Sequence, residues 1–383
     1  MEIELINFDH NCKVVGEYGI GKYKFVVKEN HIENLKSISE NAKIRFETEI
    51  LDNKVIKKCV ENSPVEGEFG TTATLILDDE SNNSPSVFYS EFGDKKLSDD
   101  IILILSFLTG RQIYTEKFQG EMNKKYFDKV VSHDYFSSGR SSDLNIQDFL
   151  KKIKEDGLEH QFYNFTFGKS INDLPSLIAY SSFTFDAIVT KWAKKNKFSS
   201  YNLKDKKLIE KIKEYLIEKI EKSILLNLKN ETLIFLLKNN INENISNDIV
   251  ARINISNQPS ALYKIQSFLN NIKLFDNNFD DKYLKTLNKV RNIMLHNGQI
   301  YRENGISFDQ ALNINGAVPF VLFSIMEFYF CKFYLNISDE HYLQNAYDVR
   351  EFLEKGIFRG HKVFEENFDD YLQRVSRNWD ELG

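Results

Sequence analysis

Polar and apolar positions alternate strictly through Ile44, Phe46, Thr48 and Ile50, the period of a half-buried β-strand. Residues 69–77 are rich in Thr, Leu and Ile, and residues 87–92 follow a turn-forming run, Ser81-Asn82-Asn83-Ser84-Pro85. Both stretches read as further strands. Gly16, Gly19 and Gly21 punctuate the first strands and are expected in hairpin turns. With a short helix near residues 31–41, residues 1–95 predict an antiparallel sheet, folded as a sandwich or partial barrel.

The pattern changes at Ser98-Asp99-Asp100. Ser98 suits an N-cap and the two aspartates suit the positive end of a helix dipole, so a helix is expected from there to Gly110. Its residues 101–108 are nearly all apolar, which predicts burial between two halves of the chain. Residues 115–145 are polar, include Ser137-Ser138-Gly139-Arg140-Ser141-Ser142, and read as a loop or linker. From about residue 145 the apolar spacing becomes helical, over residues 174–195, 203–228, 231–239, 245–255, 261–274 and 281–297. Ser307 and Gln310 form a capping box before a long apolar helix ending near Leu335, and Ser338 opens another, to about Lys355. The fold class is α+β, an N-terminal antiparallel β domain followed by an all-helical bundle. Residues 1–110 are the β-rich domain with its closing helix, 111–145 a linker, and 146–383 the helical domain.

Composition narrows the partners. The 383 residues are 42% hydrophobic and 28% charged, as in a globular protein with a sizeable core. A net charge of −6 gives no global attraction to nucleic acid, so any RNA contact must come from a local patch. Cys12, Cys59 and Cys331 are far apart and no metal-binding spacing is present, which argues against a disulfide framework or zinc site and for a cytoplasmic setting. Met1-Glu2-Ile3-Glu4 has no basic leader. Residues 317–335 are apolar enough to suggest a membrane span. They contain Pro319, Glu327 and Lys332, and a buried core helix is the better reading.

The chemistry concentrates in Lys289-Val290-Arg291-Asn292-Ile293-Met294-Leu295-His296-Asn297-Gly298, which reads as the last turns of a helix. At about 100° per residue, Arg291 falls in the middle of the apolar stripe formed by Leu284, Leu287, Met294 and Leu295. An unpaired cation there is costly. Asn292 and His296 are i, i+4 neighbours at the edge of that stripe, close enough for the amide to orient the imidazole, and Gly298 suits the position that ends a helix. The plain alternative is a buried ion pair for the arginine and a helix cap for the histidine.

Arg291-Asn292, with His296 after three intervening residues, resembles the signature of HEPN domains: an arginine, a polar residue, and a histidine a few positions on. A looser likeness in helix layout extends over about residues 175–335. A β-rich part ahead of the helical part is similar to the ApeA-like HEPN anti-phage defence proteins. The resemblance implies a HEPN-like bundle that dimerises, and a metal-independent endoribonuclease acting in bacterial defence of the abortive-infection type. Arg291, Asn292 and His296 are then catalytic, RNA is the substrate and no cofactor is needed. A phage-derived trigger or regulatory partner is implied, and no membrane. Cleavage needs a base for the 2′-OH, an acid for the 5′-oxygen and a cation near the phosphorane. Two chains supply two copies of His296 and Arg291, so a dimer answers both the buried arginine and the shortage of proton-transfer groups. The alternative is a non-catalytic HEPN-type binding or sensor protein whose β domain recognises a ligand or phage component. On either reading the β domain is expected to control the helical part.

Two further patterns bear on partners. Gly16-x-x-x-x-Gly21-Lys22 imitates a phosphate-binding loop, but Tyr23 stands where a hydroxyl ligand belongs and the context is strand–turn–strand, so a hairpin turn is expected. Residues 191–222 carry eleven lysines against five acids. Those from Lys206 to Lys222 read as a solvated helix face, while Lys191, Lys194 and Lys195, interleaved with Trp192 and Phe198, are RNA-contact candidates. Lys285 and Lys289, with Lys282 and Arg302, add a positive field around His296.

Overall fold

The computed structural model describes residues 1–10, 14–41, 45–51, 54–61, 65–110, 112–115, 118–122, 143–169, 171, 173–196, 214, 260–275, 281–303, 305–337 and 343–364. They fall into two compact units, Met1–Ile188 with Leu269–Gly383, and Val189–Phe268.

In the first unit the chain begins with strands β1 (Glu2–Leu5), β2 (Gly16–Ile20) and β3 (Tyr23–Val27), then helix α1 (Glu29–Asn41). Strands β4 (Arg45–Leu51), β5 (Lys54–Glu61), β6 (Val65–Phe69) and β7 (Ala73–Ile76) follow, with β8 (Phe118–Met122) further on. The antiparallel sheet is present, with strand order β1-β7-β3-β2 and Leu5 opposite Ala73, Phe25 opposite Leu75 and Ile20 opposite Tyr23. Leu5, Ile20, Phe25, Val27 and Leu75 are buried, as alternation requires of a sheet with one wet face. The alternating residues near Thr48 lie in β4, which pairs antiparallel with β5.

Several local expectations are corrected. Gly16 and Gly19 lie inside β2, and Gly21 alone turns the chain, at φ +57° in the loop before β3, where a Cβ would collide with the Leu144 carbonyl. Residues 69–77 are broken after Phe69, because the buried Thr72 leaves the ladder to donate its N–H to the Leu5 carbonyl at 2.7 Å. Residues 81–83 of the predicted turn instead belong to a short helix, α2 (Asp79–Asn83), capped by the Asp78 carboxylate on the Ser81 N–H. Residues 87–92 form no strand. The N–H groups of Val87 and Phe88 donate to the Asp100 carboxylate at 2.7 and 3.1 Å, where a neighbouring strand's carbonyls would otherwise be needed. The expected linker contributes β8, paired antiparallel with β6 some fifty residues earlier.

The apolar helix is α3 (Leu97–Thr109). Its cap is Lys96, whose N–H donates to Asp99 at 2.8 Å; Ser98, the expected cap, lies inside the helix and is buried. Gly110 ends it at φ +60°. Next come α4 (Ile146–Glu155), α5 (Glu159–Gly168), α6 (Leu174–Lys195), α7 (Ala261–Asn271), α8 (Asp281–Asn297), α9 (Phe308–Phe333) and α10 (Leu343–Lys355). A hairpin of β9 (Ile357–Phe358) and β10 (His361–Lys362) closes the described chain. The helices expected at 203–228, apart from Glu214, which is helical, and at 231–239 and 245–255, and Ser338, lie outside the described residues. The Ser307–Gln310 capping box is present at the head of α9.

The core of this unit is aromatic and joins its first third to its last. Phe107 of α3 lies 5.1 Å from Phe162 and 5.4 Å from Phe165 on α5, and 6.5 Å from Phe330 on α9, ring centre to ring centre. Phe88, Phe149 and Phe323 extend the cluster. Each buried phenyl ring contributes roughly 1.5–3 kcal/mol by leaving water. Among the described residues α9 is the one helix long and apolar enough to cross a membrane, and 83% of that stretch is buried inside the fold. It packs on α8 and α10, and so holds the helix that carries Arg291 and His296.

In the second unit the last turns of α6 bury Val189, Trp192 and Ala193, and α7 buries Ile265 and Phe268. Trp192 meets Phe268 edge to face at 5.5 Å.

Candidate functional site

Helix α8 buries Leu284, Leu287, Val290 and Met294, and Arg291 lies among them at 5% exposure, as its place in the apolar stripe predicts. Its countercharge comes from the same chain. Nη2 of Arg291 forms a close ion pair with Asp186 of α6. Nη1 donates to the side-chain oxygens of Asn288 at 3.0 Å and Asn292 at 2.7 Å, while Nε is buried with no hydrogen-bond partner among the described residues. Burial pulls the guanidinium below its usual value. The expectation that a second chain must relieve the buried charge is therefore corrected, because Asp186 already does so.

Asn292 also differs from expectation. Its oxygen accepts from Arg291, so the amide braces the arginine and not His296. His296 is exposed in the last turn and has no hydrogen-bond partner among the described residues. Gly298 ends the helix at φ +63°, donating its N–H to Met294 at 3.0 Å. Five helical steps place Arg291 and His296 about 140° apart around the axis. One chain therefore presents the imidazole outward and the guanidinium inward.

The outward face carries more charge. Lys282, Lys285, Lys289 and His296 fall within about 60° of one another around the helix. Lys285 pairs with Asp281 at 2.8 Å, and Lys289 with both oxygens of Glu303 at 2.8 and 3.1 Å. Tyr301 donates its hydroxyl to Glu303 at 2.6 Å. Lys289 and Tyr301 together hold Glu303 below the usual carboxylate range. The loop carrying Tyr301 is fixed from below by Asn315 of α9, which is fully buried. Asn315 accepts from the Tyr301 N–H at 2.9 Å and donates to the Tyr301 and Ala311 carbonyls at 2.8 and 2.6 Å. Between α8 and this loop lies an open groove of about 590 Å³, walled by Lys282, Lys285, Lys289 and Glu303 and floored by Ile314 and Phe364.

Lys191 is half-buried and Lys194 and Lys195 are exposed on the last turns of α6, in the second unit. Trp192, expected among the RNA-contacting side chains there, is instead buried on Phe268, and Phe198 lies outside the described residues. Asp186, Asn288, Glu303 and Asn315 were not singled out from sequence. Asp186 left one signal: it is the sole acid in the sequence of α6, a mostly apolar helix, as Arg291 is the sole arginine of α8. Comparison with protein-family models, with curated proteins and with solved structures finds no match for this chain.

Proposed function

We propose that the chain is a metal-independent endoribonuclease of the HEPN type, working as a homodimer in bacterial anti-phage defence. The observation that carries this reading is His296: an exposed imidazole with no hydrogen-bond partner among the described residues, at a helix end, in line with three lysines on the same face. A polyanion tracking those lysines passes the imidazole. His296 takes the 2′-hydroxyl proton, the 2′-oxygen attacks phosphorus, and the bond to the 5′-oxygen breaks as the second chain's copy of His296 protonates it. Arg291 supplies the cation for the phosphorane, and Asp186 is the partner it leaves to do so. A phage-derived component or regulatory partner acting on the β-rich part releases the activity.

The Arg291–Asp186 pair favours a second reading. It gives the arginine a structural reason to be buried, as in a non-catalytic HEPN-type sensor whose β-rich part recognises a ligand. Incubating purified protein with total RNA in EDTA, beside His296→Ala, separates the two. Cleavage by the wild type and none by the variant supports the nuclease. Intact RNA in both supports the sensor.

A further inference from the structure

The groove beside α8 takes no part in the proton transfers assigned to His296, yet its acid is positioned from the core outward. Exposed ion pairs are ordinarily loose. Here Glu303 also accepts from the Tyr301 hydroxyl, and the Tyr301 main chain is clamped on both sides by the buried Asn315. A surface carboxylate held this way is a fixed acceptor. A carboxylate takes only donors, and has about four positions for them.

We propose that this groove is a recognition subsite for a guanine nucleotide of single-stranded RNA, with its phosphate on Lys282, Lys285 and Lys289 and its Watson–Crick edge on Glu303. The proposal names the substrate class of the ribonuclease and rests on that reading. The groove, at about 590 Å³, is within the range of small-ligand sites. Its lysines outnumber the two acids that face them, Asp281 and Glu303. Both of those pairs are exposed and exchangeable, so an arriving phosphate draws Lys289 from Glu303 and frees acceptor positions on the carboxylate. Guanine alone among the four bases offers two adjacent donors on that edge, its ring N–H and its amino group. Adenine and cytosine set a ring acceptor beside their amino group, which a carboxylate repels, and uracil has one donor between two carbonyls. Ile306 and Phe364 provide apolar surface for the ring. Lys289 and His296 are two helical turns apart on one face, about 10 Å along the axis, so a strand held in the groove continues past the imidazole.

The test uses full-length His296→Ala protein, titrated calorimetrically with the 5′-monophosphates of guanosine, adenosine, cytidine and uridine. Wild-type protein is assayed in parallel for cleavage of RNA in EDTA. Guanosine monophosphate is expected to bind at least tenfold more tightly than the other three. Glu303→Gln should reduce that preference below twofold, and Lys285→Ala should weaken all four several-fold. Tyr301→Phe, which removes one hydrogen bond to Glu303 and little bulk, should lower the preference several-fold and serves if Glu303→Gln melts early. Equal affinity for the four, no saturable binding, or a guanine preference that survives these variants overturns the proposal. Guanine binding in the expected pattern by a protein that leaves RNA intact keeps the subsite, as a free-nucleotide site, and fails the nuclease. Cleavage without guanine preference does the reverse.

Discussion

Arg291 and Asp186 lie 105 residues apart in sequence and meet as a close ion pair between α8 and α6, with the arginine buried and the aspartate half-exposed. Removing one partner of a buried pair costs about 3–5 kcal/mol. Water reaching Asp186, whose side chain is 41% exposed, reduces this to about 1–3 kcal/mol. Asp186→Asn is expected to lose that much in urea unfolding. Arg291→Met should lose less, because it removes the charge and keeps an apolar stem. The double variant should lose less than the sum, and additivity would show that the two do not interact in solution.

His296→Ala should unfold within about 0.5 kcal/mol of the wild type, since the side chain is exposed and has no hydrogen-bond partner among the described residues. Its RNA cleavage should fall about a hundred- to ten-thousandfold, the usual range for a lost proton-transfer group. Asn292→Ala should weaken cleavage and cost about 1 kcal/mol, as one hydrogen bond to Arg291 disappears. Full activity in His296→Ala at an unchanged melting temperature would remove the histidine from the chemistry.

Cleavage should persist in EDTA and leave a 2′,3′-cyclic phosphate and a 5′-hydroxyl, because the roles given to His296 and Arg291 need only the substrate's own 2′-oxygen. End-group analysis of the products reads this directly. Products ending in a 5′-phosphate, or activity restored only by Mg²⁺ or Mn²⁺, would refute the mechanism.

Asp100 makes a pH prediction. Burial raises its carboxyl to about 6, from an ordinary 3.8, against the opposing pull of donors from Ser86, Val87 and Phe88. The folded chain thus holds this proton more tightly than the unfolded chain does. The resulting stabilisation is complete below about pH 4 and is lost as pH rises through 6. The two-unit difference corresponds to about 3 kcal/mol. Asp100→Asn cannot ionise, so between pH 4 and 7 the wild type should lose about that much relative to the variant. Parallel stability curves would contradict the raised value.

The fragment 145–383 should not fold as a stable unit. It lacks Phe88 and Phe107, whose rings pack on Phe162, Phe165 and Phe330. The expected result is aggregation, or a broad melt with strong binding of an apolar dye. A sharp cooperative melt equal to the full chain's would mean that the helices complete a core without α3.

What the sequence made legible was governed by local rules. The span of α6, the burial of Arg291 and the glycine end of α8 all follow from helical periodicity and capping. What it hid depends on partners distant in the chain. Asp186 looks like an ordinary surface acid until α8 is packed beside α6. Residues 87–92 have strand composition, but a carboxylate on the following helix takes the N–H groups of the first two. Strand β8 is five residues long, and its partner β6 lies some fifty residues earlier in the chain. Asn292 shows the same limit at the site: spacing places it beside both Arg291 and His296, and only the fold selects the arginine.

The seating of Phe107 on Phe330 has a consequence for synthesis. Roughly 220 residues separate the two, so at about 5–20 residues per second the ribosome delivers the second ring some ten to forty-five seconds after the first. Through that interval α3 is a nearly all-apolar segment without its final cover. The nascent chain therefore passes through a period of high stickiness, and its yield in the cell should depend on the chaperones that shield such segments more than its finished stability suggests.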